Sequence, residues 1–107
     1  MELQSFTQEF QSLFGFLHER SIVQEDIIYL TIDNDQHEYW VKLKDAPQRL
    51  KTYPIPKAIT IESPAPAIAF YPDGSIDKIT VRIANDQGQK VSLTTEGVFG
   101  GIKQVSP

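Results

Sequence analysis

Six large apolar side chains near the start of this chain leave it few architectures to choose from. Leu3, Phe6, Phe10, Leu13, Phe14 and Leu17 recur at three- and four-residue steps, while Gln4, Gln8, Gln11, Ser12 and Glu19 fill the opposite side. That period gives an α-helix one apolar face, so the first two dozen residues read as an amphipathic helix. Gly15 weakens its interior by about 1 kcal/mol relative to Ala. The last turn therefore depends on the packing of Phe14, Leu17 and Phe16, and the helix is expected to end between Glu19 and Gln24. An aromatic stripe of this size needs a cover from elsewhere in the chain.

The cover has to come from strands, because the period changes from 3.6 to 2 after the helix. Ile28, Leu30 and Ile32 alternate with Tyr29, Thr31 and Asp33, the polar cluster Asp33-Asn34-Asp35-Gln36 follows, and Tyr39, Val41 and Leu43 resume the alternation. Together they read as a hairpin. Residues 44–56 hold Pro47, Pro54 and Pro56 without a sustained period and read as a surface connection. Ile59 and Ile61 suggest a short strand, Ser63-Pro64-Ala65-Pro66 interrupts, and Ile68 and Phe70 begin another. Ile79, Val81 and Ile83, then Val91 and Leu93, alternate with polar residues as antiparallel strands with one solvated face do. The inward aliphatic residues are the only large apolar surface available to the helix. The fold class is therefore α+β: an N-terminal amphipathic helix packed on antiparallel β-sheets, in one domain covering residues 1–107.

Composition excludes little and implicates no chemistry. With 40% apolar and 22% charged residues the chain is neither disordered nor repetitive. A net charge of −4, with the ten basic residues read as scattered, argues against nucleic-acid binding. The absence of cysteine removes disulfides, thiolate nucleophiles and Cys-based metal sites. No apolar run approaches the roughly 20 residues that cross a bilayer, so this chain reads as soluble by itself. His18 and His37 find no nucleophile to serve, and no catalytic or cofactor-binding residue is expected. Asp33, Asp35, His37 and Glu38 are the best candidate cation cluster, and an acidic reversal with Asx capping accounts for them better. No metal is expected there. Gly97, Gly100 and Gly101 match no phosphate-binding loop, and bulges or close strand approach explain them.

Two aromatic groups stand apart from the core. Trp40 alternates with inward Tyr39 and Val41, so it should face outward, as Tyr29 should on the paired strand. An outward pair of this kind can form a contact patch; the alternative is that the 44–56 connection or a second sheet covers it. Tyr53 and Tyr71 lie beside Pro54 and Pro72, where they either stiffen a loop or build a sugar or peptide platform.

Phe70-Tyr71-Pro72-Asp73-Gly74-Ser75 is a strong turn signal. Pro72 presets φ, Asp73 can accept a bond from its own following backbone, and Gly74 accepts positive φ. On these residues alone a hairpin is predicted. The order of this turn, a strand, the Asn85-Asp86-Gln87-Gly88 turn, a strand and a Gly-containing terminal strand near Ile102 resembles the H-type minor pseudopilins of type II secretion. The related FimT/FimU minor pilins share it. Ser21-Ile22 stands where those proteins carry an Ala-Ile-like pair between the helix and the first strand, and His18 stands where many carry Arg.

The resemblance implies that residues 1–24 are the C-terminal half of a long pilin helix and residues 25–107 a β-rich head. It implies a structural subunit of a type II secretion pseudopilus, not an enzyme, that assembles with other minor and major pseudopilins and supports export of folded proteins. A single-pass inner-membrane anchor with a periplasmic head is implied as well, Met1 standing in place of an apolar half-helix and processing site absent from this chain. The face of Phe6, Phe10, Leu13 and Leu17 would hold the sheets, and Tyr29, Trp40 and Tyr53 are the candidate partner-contact residues. A type IV minor pilin is the alternative within the resemblance, and a soluble carbohydrate- or peptide-binding β module the alternative outside it.

Overall fold

A computed structural model describes residues 2–105; the expectations that fall on Met1, Ser106 and Pro107 lie outside the described residues. Helix α1 spans Glu2–Gln24 and buries Leu3, Phe6, Thr7, Phe10, Leu13, Phe14, Leu17, His18 and Ser21 along one side. Phe16 is off that side and 56% exposed, so the apolar packing of the last turns comes from Phe14 and Leu17, beside buried His18 and Ser21. The helix closes with a Schellman arrangement built without glycine. The Asp26 N–H donates to the Ser21 carbonyl at 3.3 Å and the Glu25 N–H to the Ile22 carbonyl at 3.2 Å. Glu25 accordingly takes a φ of 54°, a conformation that usually falls to glycine.

Eight strands follow: β1 (Ile28–Asp33), β2 (Glu38–Leu43), β3 (Lys51–Pro54), β4 (Ile59–Glu62), β5 (Ala67–Phe70), β6 (Thr80–Asn85), β7 (Lys90–Thr94) and β8 (Lys103–Val105). They form two four-stranded antiparallel sheets, the first in the order β3-β2-β1-β5 and the second in the order β4-β6-β7-β8. The core lies between α1 and the inner faces of both. Ile28, Leu30, Tyr39, Val41, Ile68 and Phe70 come from the first sheet, and Ile59, Ile61, Val81, Ile83 and Leu93 from the second. The helix stripe meets them through aromatic edges: Tyr39 stands nearly perpendicular to Phe6 and Phe10 at 6.0 and 5.5 Å, and Phe70 to Phe14 at 5.2 Å. Burying a side chain of this size stabilises the fold by about 1.5–3 kcal/mol.

Two further details depart from the sequence reading. The 44–56 connection contains β3, which pairs with β2 so that Thr52 faces Trp40 and Pro54 faces Glu38. An edge position tolerates the proline, whose missing N–H would otherwise break a ladder bond. The second departure is the turn after β5. Its local chemistry holds: the Gly74 N–H donates to the Tyr71 carbonyl at 3.0 Å, and Gly74 has a φ of 92°. The Ser75 N–H donates to the Asp73 carboxylate at 2.9 Å, and the Ser75 hydroxyl does so at 2.6 Å. These bonds hold the Asp73 carboxyl below its ordinary range. Yet no hairpin results, because a single bridge joins Phe70 to Ile76 and the chain then crosses to the second sheet. Asp77 makes the crossing. Its carboxylate accepts the Ala69 N–H at 3.0 Å and the Tyr71 hydroxyl at 2.8 Å, and its own N–H donates to the Ala69 carbonyl at 3.1 Å. Asp77 thereby satisfies the edge of β5 that a hairpin partner would have covered.

Candidate functional site

The outward face of the first sheet is built by strand alternation. With Tyr39 and Val41 turned inward, Glu38, Trp40 and Lys42 turn outward, and the register brings Tyr29 beside Lys42 and Thr31 beside Trp40. The 44–56 connection then returns over this face. The Arg49 guanidinium lies 3.6 Å from the centre of the Trp40 ring, pairs with the Glu38 carboxylate and reaches the Thr52 hydroxyl at 3.5 Å. Trp40 is half-buried as a result. A cation over an indole at an exposed site contributes about 0.5–1 kcal/mol, and an exposed ion pair a similar amount or less.

The three candidate contact residues do not share one surface. Tyr29 and Trp40 face outward together, whereas the register pairs Tyr53 with inward Tyr39. The two phenol rings stack at 5.0 Å with 11° between their planes, and the Lys51 ammonium sits 5.2 Å above Tyr53. Burial raises the Tyr53 phenol, and it pushes Tyr39 up to about 12 with help from the Glu9 and Tyr53 charges. The signal that separates Tyr53 from Trp40 is the register of β3, a strand that carries too little apolar alternation to be seen in the sequence. Phe6, Phe10, Leu13 and Leu17 all lie in the core between α1 and the sheets.

Charge is not scattered on the surface. Lys42, Lys44, Arg49, Lys51 and Lys57 place five of the ten basic residues within residues 42–57, where Asp45 is the one acid. The spacing was legible. What gives it meaning is that β2, β3 and the chain between them, which carry four of the five, form one edge of one sheet.

A second surface feature lies on the helix side. Gly97 and Gly100 both have positive φ, 72° and 83°, and they hold between them a loop whose Phe99 is 95% exposed. The Phe99 ring rests against His18 at 5.8 Å. A Cβ on Gly100 would come within 3.0 Å of the His18 ring, so glycine is what lets the loop lie on the imidazole. Phe16 and Glu19 share one shallow cleft with Phe99, and Asp73 and Glu96 share another. An aromatic residue between two loop glycines was the sequence signal for this feature.

Neither surface assembles a reacting centre. Asp33 accepts the N–H of Gln36, three residues on, at 3.2 Å and so caps the acidic reversal. Among the described residues no three of His, Asp or Glu are grouped to hold a metal ion. Among the described residues, also, no helix is long and apolar enough to cross a membrane.

No family model matches the sequence, and no curated protein matches it. Solved structures match in fold. The type IV minor pilin FimU of Pseudomonas aeruginosa is 15% identical and superposes with a TM-score of 0.79 over 98% of this chain and 89% of its own. The minor pseudopilin EpsH from the type 2 secretion system of Vibrio cholerae is 17% identical, with a TM-score of 0.69 over 99% of this chain and 94% of its own. A helix of one apolar face, two antiparallel sheets wrapped on it and a shared layout from end to end give this chain the pilin-like fold.

Proposed function

We propose that this chain is a structural, non-catalytic subunit of a pilin-like assembly of the bacterial envelope, and more specifically a minor pseudopilin of type II secretion. The observation that carries the reading is the superposition on both a minor pilin and a minor pseudopilin over nearly the whole chain. On this reading residues 1–24 are the C-terminal half of a longer helix, residues 25–107 form one head on the periplasmic side of the inner membrane, and the partners are other pilin-like subunits. Phe6, Phe10, Leu13 and Leu17 fix the head to the helix, and Tyr29 and Trp40, on the outward face of the first sheet, belong to the region that meets neighbours, whereas Tyr53 stacks inward on Tyr39.

A type IV minor pilin is the second reading, and the better superposition on FimU, 0.79 against 0.69, favours it. A sugar-binding module fits less well, because Arg49 already occupies the face of Trp40. In-frame deletion of the gene in its own bacterium separates the readings. Loss of folded exoproteins from the medium with surface pili intact supports the pseudopilin, and loss of pili with secretion intact supports the minor pilin. Normal secretion together with normal pili overturns the structural-subunit reading.

A further inference from the structure

Asp73-Gly74 is the one Asp-Gly step in the chain, and no Asn-Gly step occurs. Such a step lets a backbone rearrange, because glycine has no side chain to keep its nitrogen from the neighbouring carboxyl and bends freely. The Gly74 nitrogen attacks Cγ of protonated Asp73, a C–N bond forms, and the amide proton leaves with the carboxyl hydroxyl as water. A second water then opens the five-membered imide at one of its two carbonyls. Opening at the side-chain carbon restores Asp73. Opening at the main-chain carbon routes the backbone through the side chain as isoaspartate, with no change of mass. Asp73 is exposed, so water reaches it.

The folded turn opposes both halves of that attack. The Gly74 nitrogen keeps its proton on the Tyr71 carbonyl at 3.0 Å. Oδ1 of Asp73 accepts from the Ser75 N–H at 2.9 Å and from the Ser75 hydroxyl at 2.6 Å, so the carboxylate is held towards the residue beyond Gly74. The same two donors keep it ionised to lower pH than usual, and a carboxylate has no hydroxyl to lose. We propose that Asp73-Gly74 is a site of spontaneous isoaspartate formation, kept closed in the folded chain by the clamp of Ser75 on the Asp73 carboxylate. The rearrangement adds one methylene to the main chain inside the loop that the Tyr71 N–H closes on the Ser75 carbonyl at 2.9 Å. Space for it is short on the helix side, where a Cβ on Gly74 would stand 3.6 Å from the His18 ring and 3.7 Å from Ile22. The product therefore cannot keep this turn. The inference concerns the chemistry of the chain itself and rests on neither reading of its assembly.

A time course of the full chain in mildly acidic buffer, once folded and once in urea, tests this. Proteolysis and reversed-phase separation show isoaspartate as a second peptide peak of equal mass, and electron-transfer fragmentation places it at residue 73. Product is expected in urea, and formation about tenfold or more slower in the folded chain, where the reaction waits for the turn to open. Ser75→Ala removes the hydroxyl donor and, shown by thermal melting to be folded, should react about two- to tenfold faster than the folded parent, the factor that one ordinary hydrogen bond supplies. Ser75→Thr keeps the hydroxyl and should return the parent rate, which a general loosening of the turn would not do. Asp73→Glu, whose longer side chain does not close the five-membered imide, should give no product in urea. The folded and urea rates of the parent decide even where a variant fails to fold. No isoaspartate at residue 73 in urea overturns the proposal, as does a folded parent that reacts as fast as the unfolded chain. A folded Ser75→Ala that reacts at the parent rate overturns the clamp.

Discussion

Tyr39 and Trp40 are neighbours in β2, and they belong to two different kinds of surface. Tyr39 is 3% exposed, edge-on to Phe6 and Phe10 and stacked on Tyr53. Trp40 looks outward, and its cover is one guanidinium held by Glu38 and Thr52. The inner face is held by area removed from water, which is non-directional and large. The outer face is held by polar contacts that water can replace at small cost. The inner face therefore sets whether the chain folds, while the outer face can change with little effect on folding and is free to serve a partner.

The sharpest break of that contrast is Phe10→Ala. Phe10 is fully buried and touches Phe6, Phe14 and Tyr39. Removing the ring leaves a cavity where helix and first sheet meet, and a loss of about 3–5 kcal/mol is expected. Urea unfolding followed by far-UV circular dichroism checks it. A loss below about 1 kcal/mol, in the range typical of surface substitutions, would mean that the helix is not held to the sheets by this stripe.

The inner face also carries a pH signature. The folded Tyr39 phenol titrates near 12 against an ordinary value of 10.0, because burial disfavours the phenolate. The folded state therefore holds its proton more tightly than the unfolded chain. The associated stability is complete below about pH 10 and is lost as pH rises towards about 12, on the order of 1–2 kcal/mol. Tyr39→Phe should flatten this alkaline decline in a urea series from neutral pH upward. An unchanged decline in the variant would place its origin in Tyr53 or Tyr71, whose phenols are also raised.

What the sequence made legible follows the same division. The stripe Phe6-Phe10-Phe14-Leu17 and the alternations 28–33, 39–43 and 79–83 announce themselves because burial imposes a period. Strand β3 was hidden, since Lys51, Thr52 and Pro54 are exposed and Tyr53 alone is partly buried. Which strands share a sheet was hidden as well, because alternation marks a strand and not its neighbour. The Pro72-Asp73-Gly74 turn was read correctly as a turn and wrongly as a hairpin, for the crossing depends on Asp77 meeting Ala69. Of the candidate contact residues, outward Trp40 followed from parity alone, whereas the side taken by Tyr53 needed a register that no local pattern carries.

Between the two surfaces lies a rim position, Asn34, in the β1–β2 turn. Its amide donates to the Ile61 carbonyl at 2.8 Å and accepts the Ile61 N–H at 3.1 Å. Ile61 is in β4, the outer strand of the second sheet, so one side chain ties the two sheets together and occupies an edge that would otherwise be open to another strand. Asn34→Ala should cost about 1–2 kcal/mol, the penalty for leaving such groups unpaired, and should raise light scattering on storage. Unfolding free energy and scattering that both match the parent chain would show that water replaces the tie.

Arg49→Ala asks the least of the fold and the most of the comparison. The substitution removes the guanidinium from Trp40, Glu38 and Thr52 at once. All of these contacts are on the outward face, so the expected loss of stability is at most about 1 kcal/mol. The indole, however, loses its cover, and its fluorescence emission should move to longer wavelength while the far-UV spectrum stays the same. A loss comparable to that of Phe10→Ala would mean that Arg49 holds the 44–56 connection and β3 in place, and the outward face would then be part of what folds the chain. A small loss with a shifted emission keeps the two faces distinct, as a surface set aside for contact requires.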